Sequence, residues 1–113
     1  MSRHDLTLFL IERDSPIRQA IESILKNRAR TAFVVSQGRL IGSLTEGDIL
    51  RALLEEIPLE APVSAAMNLS VQFITSHSKA EALQVFSRNG ALAVPVVGEH
   101  LDLIDVITLQ DCV

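Results

Sequence analysis

Four residues share a spacing that can do chemistry. Thr45 and Asp48 stand three positions apart, and so do Thr108 and Asp111. Each pair falls where an apolar run hands over to a helical pattern. Thr-x-x-Asp at such a junction has two uses. As a helix cap, the threonine hydroxyl accepts from a free amide of the first turn, and the acidic residue favours the positive end of the helix dipole. As a ligand cradle, the free amides and the hydroxyl face a phosphate, and the carboxylate accepts from ribose hydroxyls. A lone copy reads as a cap. Two copies in matching surroundings add weight to the cradle, above all in the first copy, and both uses stay open.

Other reactive residue types offer less. His4, His77 and His100 lack the spacing of metal ligands and read as surface or loop histidines. Cys112 is the single cysteine, which excludes an intramolecular disulfide and a multi-cysteine zinc site. With no accompanying His or Asn it reads as a structural thiol in a reducing compartment. Glu55 and Glu56 sit at a helix end and read as solvated. No G-x-G-x-x-G, P-loop, G-x-S-x-G or H-E-x-x-H occurs. No catalytic residue and no metal ligand is assigned, and a small enzyme has no nucleophile–base pair to work with.

The elements that position the two Thr-x-x-Asp sites repeat along the chain. LIGSLTEGDIL begins at Leu40 and LIDVITLQDCV at Leu103. Leu40/Leu103, Ile41/Ile104, Thr45/Thr108 and Asp48/Asp111 share one offset, 111 − 48 = 63. AFVV at 32–35 lies opposite PVVG at 95–98, and Ala20-Ile21 opposite Ala82-Leu83 at an offset of 62. Two units follow, 1–60 and 61–113. Each reads strand, helix, strand, strand, helix.

In the first unit a strand is expected over Leu8–Ile11. Ser15 is expected to cap a helix with Pro16 at its first position, and Ile17, Ala20, Ile21, Ile24 and Leu25 form its apolar stripe. Strands over Ala32–Val35 and Leu40–Leu44 flank a turn at Ser36-Gln37-Gly38. A helix from Glu46 to Ile57 is expected to face Ile49, Leu50, Leu53, Leu54 and Ile57 inward, and Pro58 ends it. A helical turn over Pro62–Met67 links the units. In the second unit Val71–Thr75 is expected as a strand. Ser78 and Glu81 form a capping box, and Asn89-Gly90 stops the helix. Ala93–Val97 and Leu103–Ile107 pair. The last helix starts at Leu109, and against the first unit it ends early, as in a piece of a longer protein.

The chain has 113 residues, 48% hydrophobic and 21% charged, with 10 Lys+Arg against 14 Asp+Glu for a net charge of −4. That is one ordinary folded module, not a disordered chain. Its acidity argues against nucleic-acid binding. No apolar stretch has the length of a membrane span, and no signal peptide precedes the first strand, so a cytoplasmic protein without membrane contact is expected. A mean hydropathy of +0.31 suggests that some apolar surface meets a partner.

Over essentially its whole length the sequence resembles a tandem CBS-domain pair. The matching residues are AFVVSQGRLIGSLTEGDILRALL, VPVVGEHLDLIDVITLQD and the linking APVSAAMN. Within the superfamily, GSLTEGDILRALLEEIPLEAPVSAAMN is similar to the pairs fused ahead of sugar-phosphate nucleotidyltransferase domains, and less so to those that follow sugar-phosphate isomerase domains. The resemblance implies an α/β (α+β) fold of two β-α-β-β-α repeats related by a pseudo-twofold axis. It implies a regulatory, non-catalytic module whose clefts bind an adenosine nucleotide such as AMP, ADP or ATP. By that likeness the first cleft uses Ser43, Thr45, Gly47 and Asp48, facing Val71, Ala91 and Leu92, with Arg30 toward phosphates or, alternatively, solvated. The second uses Val106, Thr108, Gln110 and Asp111, facing Phe9, Arg28 and Ala29.

The two copies differ. Gly42 precedes the first motif, whereas Asp105 stands in that place in the second, where a carboxylate near phosphate disfavours an anion. One working site and one degenerate site are expected. Phe9, Phe33, Phe73 and Phe86 read as core, with Phe9 or Phe73 able to edge an adenine. A homodimer through the helices, with Ala52, Leu53 and Leu54 as contacts, and a fused catalytic domain complete the expectation. The alternative is a dimerisation scaffold whose clefts stay empty.

Overall fold

The computed structural model describes residues 4–113. Two strands explain how the rest is arranged. β2 (Thr31–Ser36) is buried at every position but the last, and β4 (Ala93–Val97) is buried throughout. Strands covered on both faces read as unbroken apolar runs, which is what AFVV and AVPVV are. Alternate residues of each strand therefore enter different cores. Ala32 and Val34 pack with Ile11, Ile17, Ala20, Ile24 and Leu44 in the first unit. Val94 and Val96 pack with Ala82, Val85, Phe86 and Ile107 in the second. Phe33 from β2 meets Ala93 and Val97 from β4, with Phe9, Leu40 and Val106, in a third cluster shared by both halves. This shared cluster is what clasps the units together.

The first sheet runs β1 (Leu10–Glu12), β2, β3 (Arg39–Thr45), with β1 parallel and β3 antiparallel to β2. α1 (Ile17–Asn27) covers it with Ile17, Ala20 and Ile24, and α2 (Glu46–Leu54) follows β3 directly. In the second unit, α3 (Lys79–Asn89) precedes an antiparallel pair of β4 and β5 (Leu103–Thr108), and a 3-10 turn over Leu109–Cys112 takes the place of α2. The repeat extends to irregularities. Both hairpins shift register at matching places, Val34/Val35 and Val96/Val97, which sets AFVV opposite VPVV at an offset of 62 and corrects the pairing with PVVG. Both first helices end on a left-handed residue, Arg28 at φ 60° and Gly90 at φ 69°.

Several local expectations are corrected. Val71–Thr75 is not a strand: only Ile74 bridges β4, its amide donating to the Pro95 carbonyl at 3.0 Å. Phe73 is 43% exposed and belongs to no core. Ser15 does not cap α1. Pro16 holds the cap position without a side-chain bond. The Ile17 and Arg18 amides donate instead to the carbonyls of Ala61 and Leu59, so the segment between the units satisfies the start of α1. Ser78 does accept from the Glu81 amide, but the Glu81 carboxylate receives the Ser76 hydroxyl at 3.3 Å.

Two helical faces are also corrected. Ile49 and Ala52 are the buried apolar residues of α2, while Leu50, Leu53 and Leu54 point out at 62%, 48% and 86% exposure. Ala52 is thus a core residue and not a surface contact. Leu25 and Leu83 are likewise exposed on α1 and α3. Among the described residues no helix is long and apolar enough to cross a membrane.

Candidate functional site

Each Thr-x-x-Asp is built as a helix start, in the same way twice. The Thr45 hydroxyl accepts from the Asp48 amide at 3.2 Å, and the Asp48 carboxylate accepts from the Thr45 amide at 2.9 Å. Thr108 and Asp111 repeat this at 3.3 and 2.8 Å. A second cap comes from the loop before the central strand of the same unit. The Glu46 amide donates to the Arg30 carbonyl at 3.2 Å, and the Leu109 amide to the Leu92 carbonyl at 2.9 Å. In the first turn of α2, these caps leave the Gly47 amide as the donor that can face a ligand.

The pre-strand loops are held by a pair of asparagines. Asn27 accepts from the Ala29 amide at 2.7 Å and donates to the carbonyls of Leu8 and Thr31 at 2.8 and 3.0 Å. Asn89 accepts from the Ala91 amide at 2.9 Å. The offset between them, 89 − 27 = 62, is that of the helices they end. Both are Asx turns that present the next loop residues to a cleft.

The first cleft is a cavity of about 450 Å³. Its two walls come from different units. Arg30, Ser43, Thr45, Glu46 and Gly47 form one, and Val71, Gln72, Asn89, Ala91 and Leu92 the other, over a floor that includes Phe33 and Ala93. Asn68 and Ser70 line it as well. Asn68 is pinned there by mutual backbone bonds with Ser43, at 3.0 and 2.7 Å. Of the residues singled out for this cleft, all but Asp48 line it. Asp48 lies behind the wall at 6% exposure, where Arg51 donates to its second oxygen at 2.8 Å. The lining residues missed from sequence include Glu46, Asn68, Ser70 and Gln72. Asn68 ends the linking APVSAAMN, and its pairing with Ser43 is a tertiary contact with no local signature.

The second cleft, about 380 Å³, is lined by Arg28, Ala29, Thr108 and Gln110 as expected, and also by His4, Asn27 and Leu92. Phe9 and Val106 do not line it, because both are consumed in the shared core. Asp111 does not line it either, for its carboxylate is held by the Thr108 amide and lies 2.8 Å from the His4 ring nitrogen. Burial pushes the Asp111 carboxyl up, but the Thr108 amide, His4 and the Thr108 hydroxyl together hold it below the usual carboxylate value. Asp105, expected to put charge beside a phosphate, is instead buried against its neighbour's amide and 2.9 Å from His77. Among the described residues no cluster of His, Cys, Asp or Glu could hold a metal.

Comparison with known proteins agrees with this architecture. The family described as CBS domain matches residues 2–55. An uncharacterized protein of Methanocaldococcus jannaschii is 30% identical over 103 residues, covering 89% of this chain and 36% of that protein. The chain therefore spans about a third of the length of that curated relative. Among solved structures, a CBS domain protein of Pyrobaculum aerophilum in complex with AMP superposes with a TM-score of 0.75 at 22% identity, covering 94% of this chain and 87% of that one. A protein of Vibrio cholerae assigned by name to acetoin utilization gives 0.81 at 21%, covering 98% and 82%. An uncharacterized conserved protein of Pyrococcus horikoshii gives 0.80 at 26%, covering 92% and 47%. These likenesses establish the CBS-repeat fold for the chain.

Proposed function

We propose that this chain, which carries a CBS domain over residues 2–55, is a regulatory CBS pair with units at 1–60 and 61–113 that binds an adenosine nucleotide in its first cleft. The observation that carries this reading is a cavity of about 450 Å³ walled by both units at the start of α2. The Ser43 hydroxyl and the Gly47 amide supply donors, Thr45, whose own proton goes to Asp48, lines the wall beside them, Arg30 supplies a cation, and Val71, Ala91 and Leu92 supply apolar surface for a base. Asp48 acts as a positioning residue that holds Thr45. A ligand touching both walls favours one arrangement of the units by its differential affinity, which is the physical content of a regulatory signal. The receiver is a fused enzyme domain, for which the likeness of residues 42–68 suggests a sugar-phosphate nucleotidyltransferase in the cytoplasm.

The AMP complex of the Pyrobaculum aerophilum protein and an ATP complex of the cytosolic domain of the Mg2+ channel MgtE support a nucleotide as the ligand. Calorimetric titration of AMP, ADP and ATP onto the chain and onto Ala91→Trp tests the site. One strong site per chain is expected, lost in the variant, with a thermal melt verifying that the variant folds. At a hundred times Kd the ligand should add about 2.7 kcal/mol of stability. Two equal sites would overturn the ranking of the clefts.

One observation favours a second reading, the ligand-free scaffold. The Asp48 carboxylate is fully occupied by the Thr45 cap and Arg51. Absence of any thermal shift across the nucleotide panel would select the scaffold.

A further inference from the structure

The first cleft is balanced in charge. Among the described residues that line it, only Arg30 and Glu46 carry ionised side chains. Their Nε and Oε1 atoms lie 3.6 Å apart. Backbone fixes the pair as well. Arg30 adopts a left-handed φ of 63°, and its carbonyl receives the Glu46 amide. The other polar lining groups are neutral. Neighbouring arginines are engaged elsewhere, Arg51 with Asp48 at 2.8 Å and Arg28 at the second cleft.

One guanidinium therefore serves whatever phosphate enters. A terminal monoester can take it. Each further phosphate adds charge for which the lining holds no cation, and brings that charge against the Glu46 carboxylate. We infer that Glu46 is a specificity-determining residue, and that the Arg30–Glu46 pair sets the first cleft to take nucleoside monophosphates in preference to di- and triphosphates. This rests on the nucleotide-binding reading above and adds the phosphate count that the site accepts.

The test is calorimetric titration of adenosine, AMP and ATP at low ionic strength without divalent cations, on the unmodified chain, Glu46→Gln and Arg30→Gln. Both side chains are largely exposed, at 55% and 72%, and a thermal melt of each variant verifies its folding. The unmodified chain should prefer AMP over ATP by roughly fivefold or more. Glu46→Gln should bring the two within roughly twofold by tightening ATP. Arg30→Gln should lower AMP to the affinity of adenosine. If ATP binds the unmodified chain as tightly as AMP, or Glu46→Gln leaves the ratio unchanged, the phosphate-count inference falls while nucleotide binding stands. Failure of all three ligands to bind the unmodified chain overturns both.

Discussion

Asp48 and Asp111 occupy the same place in the two units and keep different company. Asp48 turns its spare oxygen to Arg51, three residues on, whereas the Asp111 oxygen that accepts from the Thr108 amide is also the one beside His4, at the far end of the chain. The motif was legible because a cap is local chemistry, written within four residues. The partners were not, since His4 and Asp111 are 107 residues apart. For Asp111 the company has a consequence in acid. Its carboxyl is held below the usual 3.8, against the upward push of burial. A depressed carboxyl stabilises the fold fully above its unfolded value, and that contribution disappears as the pH falls through the lower, folded value. Chemical denaturation from about pH 5 to about pH 2 should therefore show the unmodified chain losing up to about 1 kcal/mol more stability than Asp111→Asn. Parallel curves would show that the carboxylate gains nothing from the fold.

Elements follow from periodicity, but periodicity leaves their facing undetermined. In α2 the apolar residues occupy more of the circumference than one core can cover. Ile49 and Ala52 win the inner face, and Leu50, Leu53 and Leu54 form a second stripe at i, i+3 and i+4. The segment at 71–75 carries strand-like residues, yet only Ile74 finds a partner, while Val71 and Gln72 are drawn into the cleft wall. β3 shows the converse, a residue demanded by its neighbour. A Cβ on Gly42 would lie 2.9 Å from the Asn68 carbonyl oxygen and 3.0 Å from the Met67 sulfur. Gly42→Ala should cost about 1–3 kcal/mol in denaturant unfolding, because the backbone oxygen cannot step aside without breaking the Ser43–Asn68 pairing. A variant as stable as the parent would show that the linker yields freely. The same displacement moves Asn68 and Ser70, so nucleotide affinity should weaken with it.

At the scale of the whole molecule, α2 carries three of the exposed large apolar residues among the described ones, Leu50, Leu53 and Leu54, and we propose this stripe as the contact of a homodimer. Sedimentation should give twice the 12.4 kDa chain mass, and Leu50→Glu with Leu54→Glu should reduce it to one chain without loss of folding. A single-chain mass for the parent would remove the dimer. The sequence alone carried the signs of duplication, most of the order of elements and the two Thr-x-x-Asp caps, while seven of the residues lining the first cleft were named through the family resemblance. The first three rest on local preference and on identity between halves, and neither needs a fold to be read. Tertiary structure alone decided which residues reach the cleft and which are consumed behind it. Phe9 and Val106 go to the shared core, Asp48 to its own helix, and Glu46 and Asn68 come forward. The physical reason is competition. A side chain with several possible partners takes the one that packing brings within reach, and that choice depends on surfaces contributed from the other half of the chain.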